Sequence, residues 1–452
     1  MTKRTHGDLN GSTTQGTDAK NSSTEPLIFL EFYSGIGGWS MALQEALTSV
    51  TDDSLPLHPM TPTCAAALDH SDLCVAVYQH NHQQKGVNAT NAKGKKKSNS
   101  LSNRAVRIEQ ITLEQLQECQ ATVWMMSPPC QPHTRQHSNQ ADDLVDPRSA
   151  SFLHLCNLLE TLPAQHRPAL ILLENVVGFD QSASCRRWRQ ALQKSGYSTA
   201  HFVLTPVQVA LPNDRPRYYC VAVQQISTLA RVEQDATTEL LPIAAAAAQK
   251  SASLRHYFQQ EDDVSKPPVI HTSIPELQVT AIDAADCPLP RVGDFLDPCN
   301  DSNSKTGLSI SPQIAQRNAA WCFDICTAAS THTACFTSSY GKYVRGTGSV
   351  LYTGQDVKLL QRFQQRQPAA ERDFDADWSQ GLDLEHDVRY FAGTEMARLF
   401  GFPASFEFPP AISRKQQWKL MGNSLNVRVA ARLLELGLRL VRPASLAMPK
   451  KT

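Results

Sequence analysis

Four side chains in this sequence could do chemistry together, and two of them stand just beyond apolar runs. Cys130 follows "TVWMMSPP", where Pro128 and Pro129 stop a strand by fixing φ and removing backbone donors. A thiol on such a stiff turn lies where open α/β sheets bind ligands, so Cys130 is a candidate nucleophile; a plain structural turn is the alternative. Glu174 follows "LILL" and should emerge at the same sheet edge, where it could share a proton with a ring nitrogen or serve as a satisfied structural acid. In "LPNDRPRYY", Arg215 and Arg217 are two apart on one side of an extended segment, suiting an anionic or carbonyl-bearing substrate, or forming a surface pair.

These positions require a scaffold that brings strand ends to one edge. "PLIFLEF", "YSGIGG" and "WSMALQEAL" read as strand, glycine turn and helix, and "CAAALD" with "HSDLCVAVYQHN" repeats the unit. Thr112 and Gln115 form a capping box that should start the helix "LEQLQEC". Further helices fall in "SASFLHLCNLLETL" and "RRWRQALQKSG", with strands in "PALILLEN", "AHFVLTP" and "RYYCVAV". This alternation predicts a mostly parallel, doubly wound α/β sheet.

In the glycine turn, Gly35 and Gly37 would let backbone approach a cofactor, with donors from the following helix. Ser40 stands where a dinucleotide fingerprint has its third glycine, so an adenosyl group without phosphate fits better. Asp69 ends the second strand, where a carboxylate can accept hydrogen bonds from ribose hydroxyls or cap a helix.

Residues 1–25 are polar and read as a disordered tail, and 442–452 as a second tail. The catalytic domain should span 26–224, an irregular lobe 225–388, and a return to the first domain 389–441. In that return, Ser413 with Gln416 should cap a helix ending at Gly422, before the amphipathic "NVRVAARLLELGLRL". Lys93, Lys95, Lys96 and Lys97 lie in a polar insert and read as a solvated run that could touch phosphate.

Over 452 residues, 43 Lys+Arg balance 43 Asp+Glu, which argues against bulk coating of nucleic acid and leaves a local basic groove open. The 12 cysteines show neither CxxC pairs nor metal spacing, so reduced intracellular thiols and no metal are expected. No apolar run reaches membrane-spanning length, and the chain reads as soluble, cytoplasmic or nuclear.

In order, the glycine turn, the acidic strand end, "PPCQ", "ENV", an "RxR" segment and a late "GNS" resemble the motifs of the cytosine-5 methyltransferases. "CFTSSYGKYVRGTGSVL" and "GFPASFEFPPAISRKQQWKLMGNSLNV" are similar to the eukaryotic RNA-modifying branch, which acts on tRNA-Asp. The resemblance implies a Rossmann-like class I methyltransferase using S-adenosylmethionine, with a smaller target-recognition lobe. It implies Cys130 as nucleophile, Glu174 at cytosine nitrogen 3, Arg215 and Arg217 on the base carbonyl, and Asn175 supporting Glu174.

For the cofactor it implies Tyr33, Gly35, Gly37, Trp39, Ser40, Met41, Asp69, Ile108, Glu109, Ser127, Asn423 and Ser424. Substrate contacts would come from Cys335, Phe336 and Thr337. The partners it implies are tRNA first and DNA weakly; the alternatives are a DNA cytosine-5 methyltransferase and, from another class, a noncatalytic nucleic-acid-binding protein with the same fold. Val177, Ala210 and His133 depart from the family pattern without removing a reacting group.

Overall fold

The computed structural model describes residues 27–52, 62–83, 101, 105–129, 143–224, 252–260, 263–279, 289–298, 307–317, 320, 322–356, 358–361 and 381–441, residues 50–52 as backbone alone. Cys130, His133, the lysines of the 93–97 run and both tails lie outside the described residues.

Seven strands make the main sheet: β1 (Ile28–Phe32), β2 (Thr63–Leu68), β3 (Val123–Met126), β4 (Leu170–Val176), β5 (Tyr197–Leu204), β6 (Arg217–Gln224) and β7 (Ile270–His271). Their spatial order is β2-β1-β3-β4-β6-β5-β7. All neighbours are parallel except β6, which runs antiparallel to both β4 and β5. All four side chains of β3 are buried, as expected of a central strand covered on both faces.

Alternation divides these strands between two apolar layers. Phe29, Val123, Met125, Leu172 and Val221 face one layer; Leu30, Phe32, Trp124, Met126, Ile171 and Leu173 face the other. The first layer is closed by α1 (Gly38–Asp52), which supplies Trp39, Ala42 and Leu43, by α2 (Asp72–Gln83), which supplies Val77, and by α8 (Val427–Leu438), which supplies Val429, Leu433 and Leu434. The second is closed by α3 (Leu113–Cys119), α4 (Ala150–Thr161) and α5 (Ala183–Lys194) through Leu116, Leu155, Leu159, Trp188 and Leu192.

The capping boxes act as their spacing predicts. Thr112 Oγ1 accepts from Gln115 N at 3.3 Å while Gln115 Oε1 accepts from Thr112 N at 3.0 Å, starting α3. Gln416 Oε1 accepts from Ser413 N at 2.8 Å before α7 (Arg414–Asn423), which follows α6 (Gly393–Leu399).

The middle stretch, read from composition as irregular, contains β8 (Asp324–Cys326) and β9 (Ser349–Tyr352), which with β10 (Val388–Arg389) make a small sheet. It also supplies β7, which pairs with β5 and covers an edge of the main sheet that would otherwise present open N–H and C=O groups.

Candidate active site

At the carboxyl end of β4, Glu174 is buried and its Oε1 lies 3.4 Å from Arg217 Nε. The antiparallel pairing makes this possible: Glu174 registers with Tyr219, so β6 begins beside the end of β4. The next residue, Asn175, donates from Nδ2 to the carbonyl of Pro128 at 3.3 Å and accepts the amide of Val176 through Oδ1 at 2.8 Å. The acidic strand end is thereby tied to the double-proline turn, two residues before Cys130.

Arg215 behaves differently from its sequence expectation. Its side chain turns inward, donating from Nη1 to Phe336 O at 2.7 Å and from Nη2 to Gly422 O and Ser424 O at 2.9 and 2.7 Å, over the ring of Phe400. A guanidinium committed to three carbonyls holds segments together rather than a base. The reason lies in the chain itself: the segment ending at Ser424 brings bare carbonyls into the interior, and only a fork of donors satisfies them all.

Cys335 lies against both arginines, 3.4 Å from Arg215 Nη1 and 3.8 Å from Arg217 Nη2. Burial raises its thiol, yet the two guanidiniums together outweigh that and hold it below the usual range. Phe336 is fully buried in an aromatic cluster with Tyr340 and Phe391, so its side chain is removed from any substrate and its carbonyl serves Arg215. Thr337 N donates to Thr347 O at 2.9 Å.

The glycine turn sits at the neighbouring strand ends. Gly35 and Gly37 have φ of 51° and 90°, in the left-handed region that favours glycine. Gly35 N donates to Asp69 Oδ2 at 2.9 Å and Ser71 N to Asp69 Oδ1 at 2.9 Å, so this carboxylate fastens the turn to the end of β2. Residue 105 bridges to Asp69, and Val106 N donates to Asp69 O at 2.8 Å, which brings Ile108 and exposed Glu109 to the same edge. Trp39 Nε1 donates to Ser127 Oγ at 3.0 Å, and Tyr33 Oη to Ser151 Oγ at 2.9 Å. Ser424 and Leu425 pack against Gly38, placing Ser424 and exposed Asn423 beside the start of α1.

Ser40 and Met41, at the start of α1, are buried. Ser40 Oγ donates to Glu31 Oε2 and lies 2.9 Å from Tyr78 Oη. Glu31, which sequence reasoning missed, is fully buried under the turn; burial pushes its carboxyl up to about 8, against hydrogen bonds from Ser40 and the amides of Trp39 and Ser40 that favour the charged form. Its one sequence signal is an acid inside the otherwise apolar "IFLEF". The first amides of α1 therefore face a protein carboxyl, whereas a Cβ added at Gly35 would meet nothing within 4 Å. That combination suits a cofactor lying along the turn without a phosphate at the helix end.

Among the described residues, no group of three metal-ligating side chains occurs and no helix is long and apolar enough to cross a membrane. Ala210 has φ of 56°, in the left-handed region that favours glycine.

A mostly parallel sheet with a single antiparallel strand, a glycine turn at β1 and an acid–arginine pair at β4 defines a class I methyltransferase. The chain belongs to the C-5 cytosine-specific DNA methylase family, whose sequence model matches residues 27–436. It is 31% identical over 428 residues to the tRNA (cytosine(38)-C(5))-methyltransferase of Homo sapiens, covering 91% of this chain and 99% of that one. It is also 28% identical over 417 residues to a DNA (cytosine-5)-methyltransferase of Dictyostelium discoideum, covering 91% and 94%. In fold it resembles the crystal structure of the S. pombe Dnmt2 methyltransferase, with a TM-score of 0.62, 24% identity, and coverage of 92% and 98%.

Proposed function

We propose that this chain methylates carbon 5 of an anticodon-loop cytosine in tRNA, cytosine 38 of tRNA-Asp, through a covalent adduct to Cys130. The observation that carries this reading is the Glu174–Arg217 pair fastened through Asn175 to the turn that leads into Cys130. The cofactor, S-adenosylmethionine, supplies an electrophilic methyl on a sulfonium. Gly35, Asp69, Ile108, Glu109 and the Asn423–Ser424 segment would hold it, with Asp69 retaining lone pairs beyond the two given to amides.

Carbon 5 of cytosine is a weak nucleophile. The Cys130 thiolate adds to carbon 6, forming a C–S bond and moving the ring π electrons toward nitrogen 3 and carbon 5. Glu174 donates a proton or hydrogen bond at nitrogen 3, where charge develops, and Arg217 orients that carboxyl and faces the base carbonyl. After methyl transfer, loss of the carbon-5 proton to a base returns the electron pair to the ring and expels the thiolate. The reacting base must be unstacked, which costs less in an anticodon loop than in duplex DNA.

The test is bisulfite sequencing of RNA and DNA from cells with and without the gene, joined to trapping in vitro. A tRNA carrying 5-fluorocytosine at the target should form a covalent complex with the wild type and none with Cys130→Ala. Methylation confined to duplex DNA would replace tRNA with DNA as substrate, the reading favoured by the name of the Dictyostelium relative.

A further inference from the structure

The loop that follows Cys335 has a surface the catalytic geometry leaves unused. From Asp324 to Asp356 the intervening chain contains no carboxylate, yet it carries Lys342 and Arg345. In a protein of zero formal charge, that makes a local cationic surface.

The loop is built, not merely exposed. The Thr337–Thr347 bond closes it, Tyr340 N donates to Thr337 O at 3.0 Å, and Thr347 Oγ1 donates to Tyr343 O at 2.8 Å. Tyr340 and Val344 are buried, with Tyr340 Oη donating to Ser349 O at 2.6 Å. Anchored by these two side chains, the loop turns Lys342, Tyr343 and Arg345 outward. Tyr343 is 54% exposed, and among the described residues it is the single aromatic in the set of exposed large hydrophobics. Lys342 Nζ stands 5.1 Å from its ring centroid.

The base of the loop is joined to the reacting groups. Phe336 O accepts from Arg215, Cys335 lies against Arg217, and Arg217 pairs with Glu174. The backbone of Thr337 and Ser338 packs on Gly422 so closely that no Cβ would fit there. Eight residues separate Tyr343 from Cys335, a reach of at most roughly 27 Å that the turns shorten further.

We propose that Tyr343 is a stacking platform for an unpaired base beside the target nucleotide, with Lys342 and Arg345 contacting the flanking phosphates. The inference rests on the reading of tRNA as substrate and names the surface that receives its loop. Extruding the reacting base costs stacking energy, and an aromatic ring next to it offsets part of that cost for any base. Cations on a stretch that carries no carboxylate of its own favour a polyanion over a protein partner.

The test measures methylation kinetics and salt dependence on full-length tRNA. Tyr343→Ala should raise KM for tRNA about tenfold, with Tyr343→Phe and Tyr343→Trp within about twofold of wild type. Lys342→Gln with Arg345→Gln should reduce the slope of log K against log salt by roughly 1.4, about 0.7 per single-strand phosphate contact. In the wild type, 2-aminopurine placed next to the target cytosine should lose fluorescence on binding, a readout independent of any variant's folding.

If the wild type fails to methylate tRNA, the substrate reading falls. If it methylates tRNA while Tyr343→Ala keeps the wild-type KM, or 2-aminopurine stays bright, the platform is wrong and the substrate reading stands. An equal KM rise in Tyr343→Phe would assign the effect to the hydroxyl and overturn stacking.

Discussion

Arg217 Nε stands 3.4 Å from Glu174 Oε1, and the same guanidinium reaches Cys335 Sγ at 3.8 Å through Nη2. One cation thus orients the carboxyl assigned to the base nitrogen and borders the Cys335 thiol. Glu174→Gln should lower kcat by roughly 10²- to 10⁴-fold, because an amide cannot pass a proton to nitrogen 3. The Kd for tRNA should move only a few-fold. Single-turnover methylation with a filter-binding assay separates the two, and a wild-type rate in the glutamine variant would remove Glu174 from the chemistry.

The neighbouring arginine should behave as a different kind of residue. Arg215→Ala leaves the carbonyls of Phe336, Gly422 and Ser424 without their donors, and each such buried group costs roughly 1–3 kcal/mol. Its urea midpoint should fall well below that of Arg217→Ala, which loses activity with a smaller loss of stability. Equal midpoints would show that the inward clamp carries no special share of the fold.

Asp69 holds the glycine turn and is offered to the cofactor as well. S-adenosylhomocysteine should raise the wild-type melting temperature by mass action, and Asp69→Ala should shrink that shift because the turn loses its tether at Gly35. NAD should give no comparable shift. If it did, the glycine turn would belong to a dinucleotide instead.

Glu31 makes stability depend on pH with a definite sign. Its carboxyl holds a proton in the native state up to about 8, whereas a free carboxyl loses it near 4.5. Between those values the native state binds more protons than the unfolded chain, so stability is greatest on the acid side and falls as pH rises through the window. Glu31→Gln should flatten that part of the profile, read from denaturant midpoints at steps between pH 5 and 8. A slope unchanged by the substitution would mean that the buried carboxyl is ionised throughout.

The fold class was legible because its central strands are continuous apolar runs ended by a turn or an acid, as in "VWMM" before Pro128 and "LILL" before Glu174. Capping at Thr112 and Ser413 was legible for the same local reason: both partners lie within one helical turn. The bond from Ser40 to Glu31 was not legible, because the two lie nine residues apart on different elements. Arg215 and Arg217 share a sequence motif and border the same thiol yet take different partners, since one meets the carbonyls of distant segments and the other meets Glu174. β7 was missed because two residues give no period, and only the open edge of β5 gives them a place.

The Arg215 clamp spans 121 residues to Phe336 and 207 to Gly422. Such contacts close very long loops, whose entropy must be lost before the bonds form. During synthesis, the strands carrying Glu174 and Arg217 emerge long before the segments that bind Arg215. A nascent chain could therefore complete its central strands while the catalytic end stayed loose, and methyl transfer would await the arrival of Gly422 and Ser424.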